Sequence, residues 1–293
     1  QDNGLDLAFC EFTQVDGWIV SRLQEVTASV SQAVESYRFD LAAQTLYEFS
    51  WNEYCDWYLE LAKISLQSEN QNLQRGTRRT LLEVLESILR LAHPIMPFIT
   101  EEIWQRIAPL RGIHADTIML QPYPIFDADK INSAAHTEVN WLMAVILGVR
   151  RIRGEMNIAP GKPLPLLLQN GLPSDRQFAD NNQQYLLKIA RLESISWLAN
   201  DATPPESAIA LVGELQLLIP MAGLIDKQAE LARLEKEIQR IQKDLPRIEA
   251  KLTNPGFVDK APEDVIIKER EKLAEIQSQL FNLEQQHKKI GSL

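Results

Sequence analysis

Between Leu224 and Ile290, leucine and isoleucine recur in alternating three- and four-residue steps, and this constrains the fold more than any other feature. Leu224, Leu231, Leu234, Ile238, Ile241, Leu245, Ile248 and Leu252 form one series. Ile266, Leu273, Ile276, Leu280, Leu283, His287 and Ile290 form a second, with charged residues filling the positions between. A seam this narrow leaves its apolar groups in water unless a second seam covers it. The segment Thr253-Asn254-Pro255-Gly256-Phe257 interrupts the pattern, and Pro262, Glu263 and Asp264 open the next helix with acids where the helix dipole favours them. Two helices of similar length joined by one short break are expected to fold back as an antiparallel coiled coil over 223–293. Pro246 lies inside the first of them, where it removes a backbone hydrogen bond. It predicts a kink in the preceding turn at a cost of about 3 kcal/mol.

The rest of the chain is helical first and mixed later. Val15, Trp18, Ile19, Leu23, Val26 and Val30 mark a helix over 15–35. Asp40 is placed to cap the next one. Leu41 to Leu66 contains no Gly or Pro and is dense in aromatics, 67–74 is polar and loop-like, and Thr77–Ala92 resumes helical spacing. In His93-Pro94-Ile95-Met96-Pro97 one helix stops and another starts, because proline is tolerated in a first turn. Residues 108–136 read as an irregular connection and Val139–Arg153 as a further helix. Short apolar runs at 164–168, 194–198, 209–212 and 215–219 are strand candidates, with a helix over 177–191. The expected fold is mainly α: a helix bundle at 9–127, a small α/β domain at 128–222 and the coiled coil.

Composition narrows the function. At 45% hydrophobic and 24% charged the chain suits a soluble globular protein. Its longest apolar stretches, such as Trp141–Val149, are too short to cross a bilayer. No basic-then-apolar leader opens it. It begins at Gln1 with no fold-like pattern before Phe9, as expected of a piece of a longer protein. Cys10 and Cys55 lack Cys-x-x-Cys partners, so reduced thiols in the cytoplasm are expected, with Cys55 as a small buried apolar residue. None of the four histidines stands at metal-ligand spacing, and no catalytic constellation occurs. The net charge of −10 opposes non-specific polyanion binding, yet it is uneven: residues 224–293 hold 13 basic and 13 acidic side chains, against 17 and 27 in the remainder.

Three segments stand out as binding candidates. In Tyr47–Glu60, α-helical spacing puts Tyr47, Trp51, Tyr54 and Tyr58 on one face and Glu53, Trp57 and Glu60 on another. Too many aromatics crowd this helix for all to be core, and Trp51 or Trp57 could stack on an unpaired base. Between Val149 and Lys162, Arg150, Arg151, Arg153 and Lys162 face only Glu155, a local +3 in an acidic chain that suits phosphate. Arg240, Lys243, Arg247 and Lys251 share one stripe of the first coiled-coil helix. Each has a plainer reading: inter-helix packing, a solvated face, and ordinary coiled-coil flanking charges.

In order along the chain, Trp18–Leu23, Tyr37-Arg38-Phe39-Asp40, Trp51–Glu60, Leu91–Trp104, Arg153–Lys162 and Lys251–Phe257 with Lys260-Ala261-Pro262 resemble the C-terminal half of bacterial-type valyl-tRNA synthetases. The His-Pro…Pro-Phe…Glu-Glu-Ile-Trp run is shared with isoleucyl and leucyl enzymes. Trp-Asn-Glu-Tyr-Cys-Asp-Trp-Tyr, Met-Asn-Ile-Ala-Pro-Gly-Lys and the terminal coiled coil point to the valine enzymes.

The resemblance implies an anticodon-binding bundle and an arm that holds the outer corner of a valine tRNA, with Arg22 and Arg38 on phosphates or base edges. It implies a parent activity joining valine to tRNA with ATP and Mg²⁺, and a catalytic domain of the same chain as partner. The family's two ATP-site signatures do not occur here, so the segment is expected to be inactive alone, and to be monomeric. Two departures are Gly17, where a basic residue is more usual, and Pro246. The rival expectations are a coiled-coil oligomerisation or scaffolding module without RNA binding, and a synthetase-derived regulatory domain that contacts proteins.

Overall fold

The computed structural model describes residues 2–221, 227–253 and 263–291, and the chain divides into two compact units, Gln1–Pro220 and Met221–Leu293. The first unit begins with α1 (Gln14–Glu35), whose start is fixed by a reciprocal cap. The Thr13 hydroxyl accepts from the Asp16 N–H at 3.1 Å, and the Asp16 carboxylate accepts from the Thr13 N–H at 2.8 Å. All six apolar residues that announced this helix are buried. Asp2 and Gly4, ahead of Phe9, are tied to α4 (Gln71–Ala92). Arg75 pairs with Asp2, and Arg79 donates to the Gly4 carbonyl. A Cβ at Gly76 would lie 1.9 Å from the Glu11 carbonyl oxygen, so only glycine lets this segment lie on the helix.

One rod runs from Phe39 to Leu66 in three parts: α2 (Phe39–Glu48), a π-helical segment (Phe49–Tyr58) and α3 (Leu59–Leu66). In the middle part the N–H of Leu59 reaches back five residues to the Tyr54 carbonyl. Each such turn takes up an extra residue and rotates the following side chains away from α-helical expectation. The predicted aromatic face therefore splits. Tyr54 and Tyr58 are buried, while Tyr47 and Trp51 stay exposed. Cys55, expected inside, is exposed. Asp40 does not cap α2 either. It sits in the first turn and is held by the guanidinium of Arg38, the residue at the N-cap.

The polar stretch 67–74 is loop only as far as Asn70, whose side chain accepts from the N–H groups of Asn72 and Leu73 and so starts α4 early. The helix ends at Ala92, and α5 (Pro97–Ile107) opens on Pro97. Trp104 on α5 anchors a core cluster with Leu89, Ala108 and Ile118. Its indole N–H donates to buried Glu86 at 2.9 Å, and Arg90 neutralises that carboxylate at 2.8 Å. Of the shared His-Pro…Trp run, Thr100 and Trp104 are buried, while Pro94 through Ile99 are exposed.

Next comes α6 (Ser133–Glu155), which packs on α1 and on the sheet. Gly17 lets α1 approach the α6 N-cap, since a Cβ there would lie 3.2 Å from Asn132 Nδ2. Gly148 does the same on the sheet side, 2.6 Å from Leu217 Cδ1. The sheet has the order β2-β1-β4-β3, from β1 (Leu164–Gln169), β2 (Leu192–Trp197), β3 (Ser207–Val212) and β4 (Leu215–Pro220). β1 and β2 are parallel, so their connection must cross over; it does so through α7 (Pro173–Asn181) and α8 (Gln183–Ile189) rather than one helix. The other two pairings are antiparallel. Leu164, Leu166, Leu168, Leu215, Leu217 and Ile219 are buried at 0% exposure.

The second unit pairs α9 (Lys227–Thr253) with α10 (Glu263–Gly291). Lys251 meets Glu269 and Gln242 meets Glu284, so positions rise on one helix as they fall on the other, and the two run antiparallel. Leu234 and Ile241 are buried, and Ile238, Leu245, Leu273, Ile276, Leu280, Leu283 and His287 are half-buried along the predicted seam. α9 continues through Pro246, which is exposed. Leu224, the turn at 254–262 and the side chains of Ile248 and Ile290 lie outside the described residues.

Candidate nucleic-acid interface

The exposed side of the α1–α2 corner carries an unusual amount of unsheltered aromatic surface. Phe39, Ala43, Tyr47 and Trp51 follow one another at four-residue steps, which on a helix makes a stripe. Phe39, Tyr47 and Trp51 are each more than half exposed, and Tyr37 just ahead of them is 82% exposed. The Tyr47 and Trp51 rings are parallel to within 1°, with centroids 6.5 Å apart. Such π-faces are what an unpaired base stacks on.

Arg38 lies beside the stripe, exposed, with its guanidinium held by both oxygens of Asp40 at 2.6 and 2.9 Å. That pairing holds the Asp40 carboxyl down at about 2. Arg22 faces inward instead. It donates in parallel to both oxygens of Glu53 at 2.7 and 2.8 Å and also pairs with Glu25. Its Glu53 hydrogen bonds raise its pKa further. Three of its N–H donors are thereby committed to Glu53 and Glu25, so Arg22 ties α1 to the π-helical segment.

The basic cluster after α6 does not form a single exposed patch. Arg150 and Arg151 are exposed, but the Arg150 guanidinium lies 5.5 Å from the centroid of the half-buried Trp57 ring. Arg150 thus places a cation over one face of the Trp57 ring. Arg153 is buried at 8% exposure. It donates to the carbonyls of Ala159, Lys162, Ala190 and Arg191 at 3.4, 2.8, 3.0 and 2.8 Å. Desolvation lowers its pKa. Helical periodicity contains the reason: Ile152 and Arg153 follow Val149 onto the face that meets the sheet, so a charge placed there must be clasped rather than displayed. Lys162 is half-buried in the same loop.

On the arm, Arg240 is well exposed with Glu237 3.9 Å away, and Lys243 is exposed. Lys251 spans to Glu269 on α10 at 2.6 Å. The side chain of Arg247 lies outside the described residues. Exposed Lys268, Arg270 and Lys272 add basic groups on α10 that the α9 stripe did not include. Phe39 and Tyr37 are the other omissions. Their signal was available as an aromatic pair straddling Arg38 at a helix boundary.

Among the described residues no cluster of three or more His, Cys, Asp or Glu could hold a metal ion, and no helix is long and apolar enough to cross a membrane. Comparison with protein families gives two matches. A family model described as the anticodon-binding domain of tRNA ligase covers residues 16–168, and one described as the valyl tRNA synthetase tRNA binding arm covers 226–291. The first spans α1 through most of β1, so it takes in the aromatic stripe, and the second spans the helix pair. With more than half of its length matched by the first and its second unit by the other, the chain belongs to the tRNA ligases, with the anticodon-binding domain of that family and the tRNA-binding arm of valyl-tRNA synthetases.

Proposed function

We propose that the first unit reads the anticodon loop of a valine tRNA through the stripe of Phe39, Tyr47 and Trp51, and that the arm grips the same tRNA at its outer corner through its phosphates. The whole enzyme joins valine to that tRNA with ATP and Mg²⁺, and none of those chemical steps is assigned to residues of this chain. One observation carries the reading: the exposed, parallel Tyr47–Trp51 pair inside the segment matched by the anticodon-binding family. Charge supports the division of labour. The first unit holds 27 acidic against 17 basic residues and is poorly suited to grip phosphate, whereas the arm is balanced, with Arg240 and Lys243 exposed. Stacking is nearly uncharged and its strength varies with the base, while phosphate contacts set register and bring salt dependence.

The test is binding of a valine tRNA transcript, and of an anticodon-substituted transcript, across a salt series. Trp51→Ala is expected to cost about 1–3 kcal/mol of affinity for the cognate transcript. Arg240→Glu with Lys243→Glu is expected to flatten the salt slope by about 1 for each residue and leave the anticodon preference intact. Wild-type binding that ignores the anticodon would refute the first half. An unchanged slope in the arm variant would refute the second.

A further inference from the structure

Tyr37 adopts a backbone conformation that tyrosine avoids. Its φ is +56°, in the left-handed region where a Cβ crowds the following carbonyl oxygen. The hydrogen bonds show why the chain needs that conformation. The N–H of Arg38 donates to Ala33 O at 2.8 Å and the N–H of Tyr37 to Val34 O at 3.0 Å. These are the two bonds of the left-handed closure that ends a helix, and Tyr37 occupies the position where glycine is the ordinary residue. Aromatic residues are tolerated at positive φ when packing compensates, but here 82% of the residue is exposed. The fold therefore fixes the backbone that carries an exposed aromatic ring at the corner between α1 and α2, at some cost to itself.

We infer that Tyr37 is a stacking platform for an unpaired base of the bound RNA, set at the head of the Phe39–Trp51 stripe. The inference rests on the anticodon-loop reading and deepens it. The next exposed aromatic, Phe39, is two residues on. The charge between them, Arg38, is neutralised by Asp40, so the dominant chemistry offered at the corner is a π-face. An unpaired base is the RNA element that meets a π-face. The backbone of Tyr37 is already pinned by two hydrogen bonds, so binding has only the side-chain torsions left to order, which favours this position over one on a mobile loop.

Two substitutions separate this role from a structural one, because glycine and asparagine both accept positive φ and neither carries a ring. Tyr37→Gly and Tyr37→Asn are expected to weaken binding of the valine tRNA transcript about tenfold. The melting temperature should hold or rise by about 2–4 °C. The salt slope should not change, because no phosphate contact is lost. Tyr37→Phe should bind like the wild type. If Gly and Asn variants keep wild-type affinity while Trp51→Ala loses it, Tyr37 is no platform and the anticodon reading stands. If affinity and melting temperature fall together in both, Tyr37 is a structural residue. If the wild type does not distinguish the anticodon-substituted transcript, the reading beneath the inference fails and takes it down.

Discussion

Replacing Arg153 by methionine should damage the fold and leave RNA recognition alone. The side chain is 8% exposed and satisfies four carbonyl oxygens, two in the loop after α6 and two before β2. Hydrogen bonds to a charged group contribute about 1.5–3 kcal/mol each, and an acceptor left buried without a donor costs about 1–3 kcal/mol. The four share one guanidinium and do not add, and removing the charge also removes its own desolvation cost. The long contact to Ala159, at 3.4 Å, is the weakest. A net loss of about 3–5 kcal/mol follows, comparable to breaking a buried charged network. For a unit of this size about 2–4 °C of melting temperature goes with each kcal/mol, so Arg153→Met should lower the first unit's transition by about 6–20 °C. Arg153→Lys should restore little, since one ammonium has three donors and no planar fork. Thermal unfolding followed by circular dichroism measures the shift, and tRNA titration below the transition measures binding. An unchanged melting temperature with a flatter salt slope would show that Arg153 faces phosphate after all, and would refute the clasp.

Three further outcomes are expected. A double-mutant cycle on Arg22→Ala and Glu53→Ala should give a coupling of about 1–3 kcal/mol in unfolding free energy, from a half-buried bidentate pair joining α1 to the π-helical segment; a coupling near zero would mean that solvent already screens it. Asp16 is buried, and desolvation raises its pKa despite hydrogen bonds from Tyr58 and Thr13. The folded chain then holds that proton to higher pH than the unfolded chain does, so the contribution is full below the ordinary carboxylate range and is lost as pH climbs through the raised value. Urea unfolding of wild type and Asp16→Asn from pH 4 to 7 should show the wild type's relative advantage shrinking as pH rises, and growth instead would reverse the sign. Pro246→Ala should stabilise the arm by up to about 3 kcal/mol, because it restores an N–H opposite the carbonyl of Gln242 on an exposed face; a lower arm melting temperature would show that the proline is accommodated.

Periodicity alone determined much of this protein. The six apolar residues of α1 and the described seam residues of α9 and α10 lie where their spacing puts them, because a stripe of Leu and Ile admits one hydrophobic solution at a helical repeat. Proline and asparagine likewise punctuated α4 and α5 through local chemistry. The roles of the polar residues were decided elsewhere. Arg22, Arg38 and Arg153 look alike in sequence, yet one is forked onto Glu53, one is exposed beside Asp40 and one is buried under four carbonyls. What separates them is which face of a helix meets the sheet or a neighbouring helix, and that depends on residues far along the chain. The aromatic segment shows the same limit within a single rod. The wider turns between Phe49 and Tyr58 change which rings face the core, and hydrophobic spacing carries no mark of them because α and π turns share the same local residues. Backbone strain at Tyr37 comes from the left-handed closure onto Ala33 and Val34 that ends α1, and the sequence carries no mark of it because a tyrosine stands where glycine is the ordinary residue.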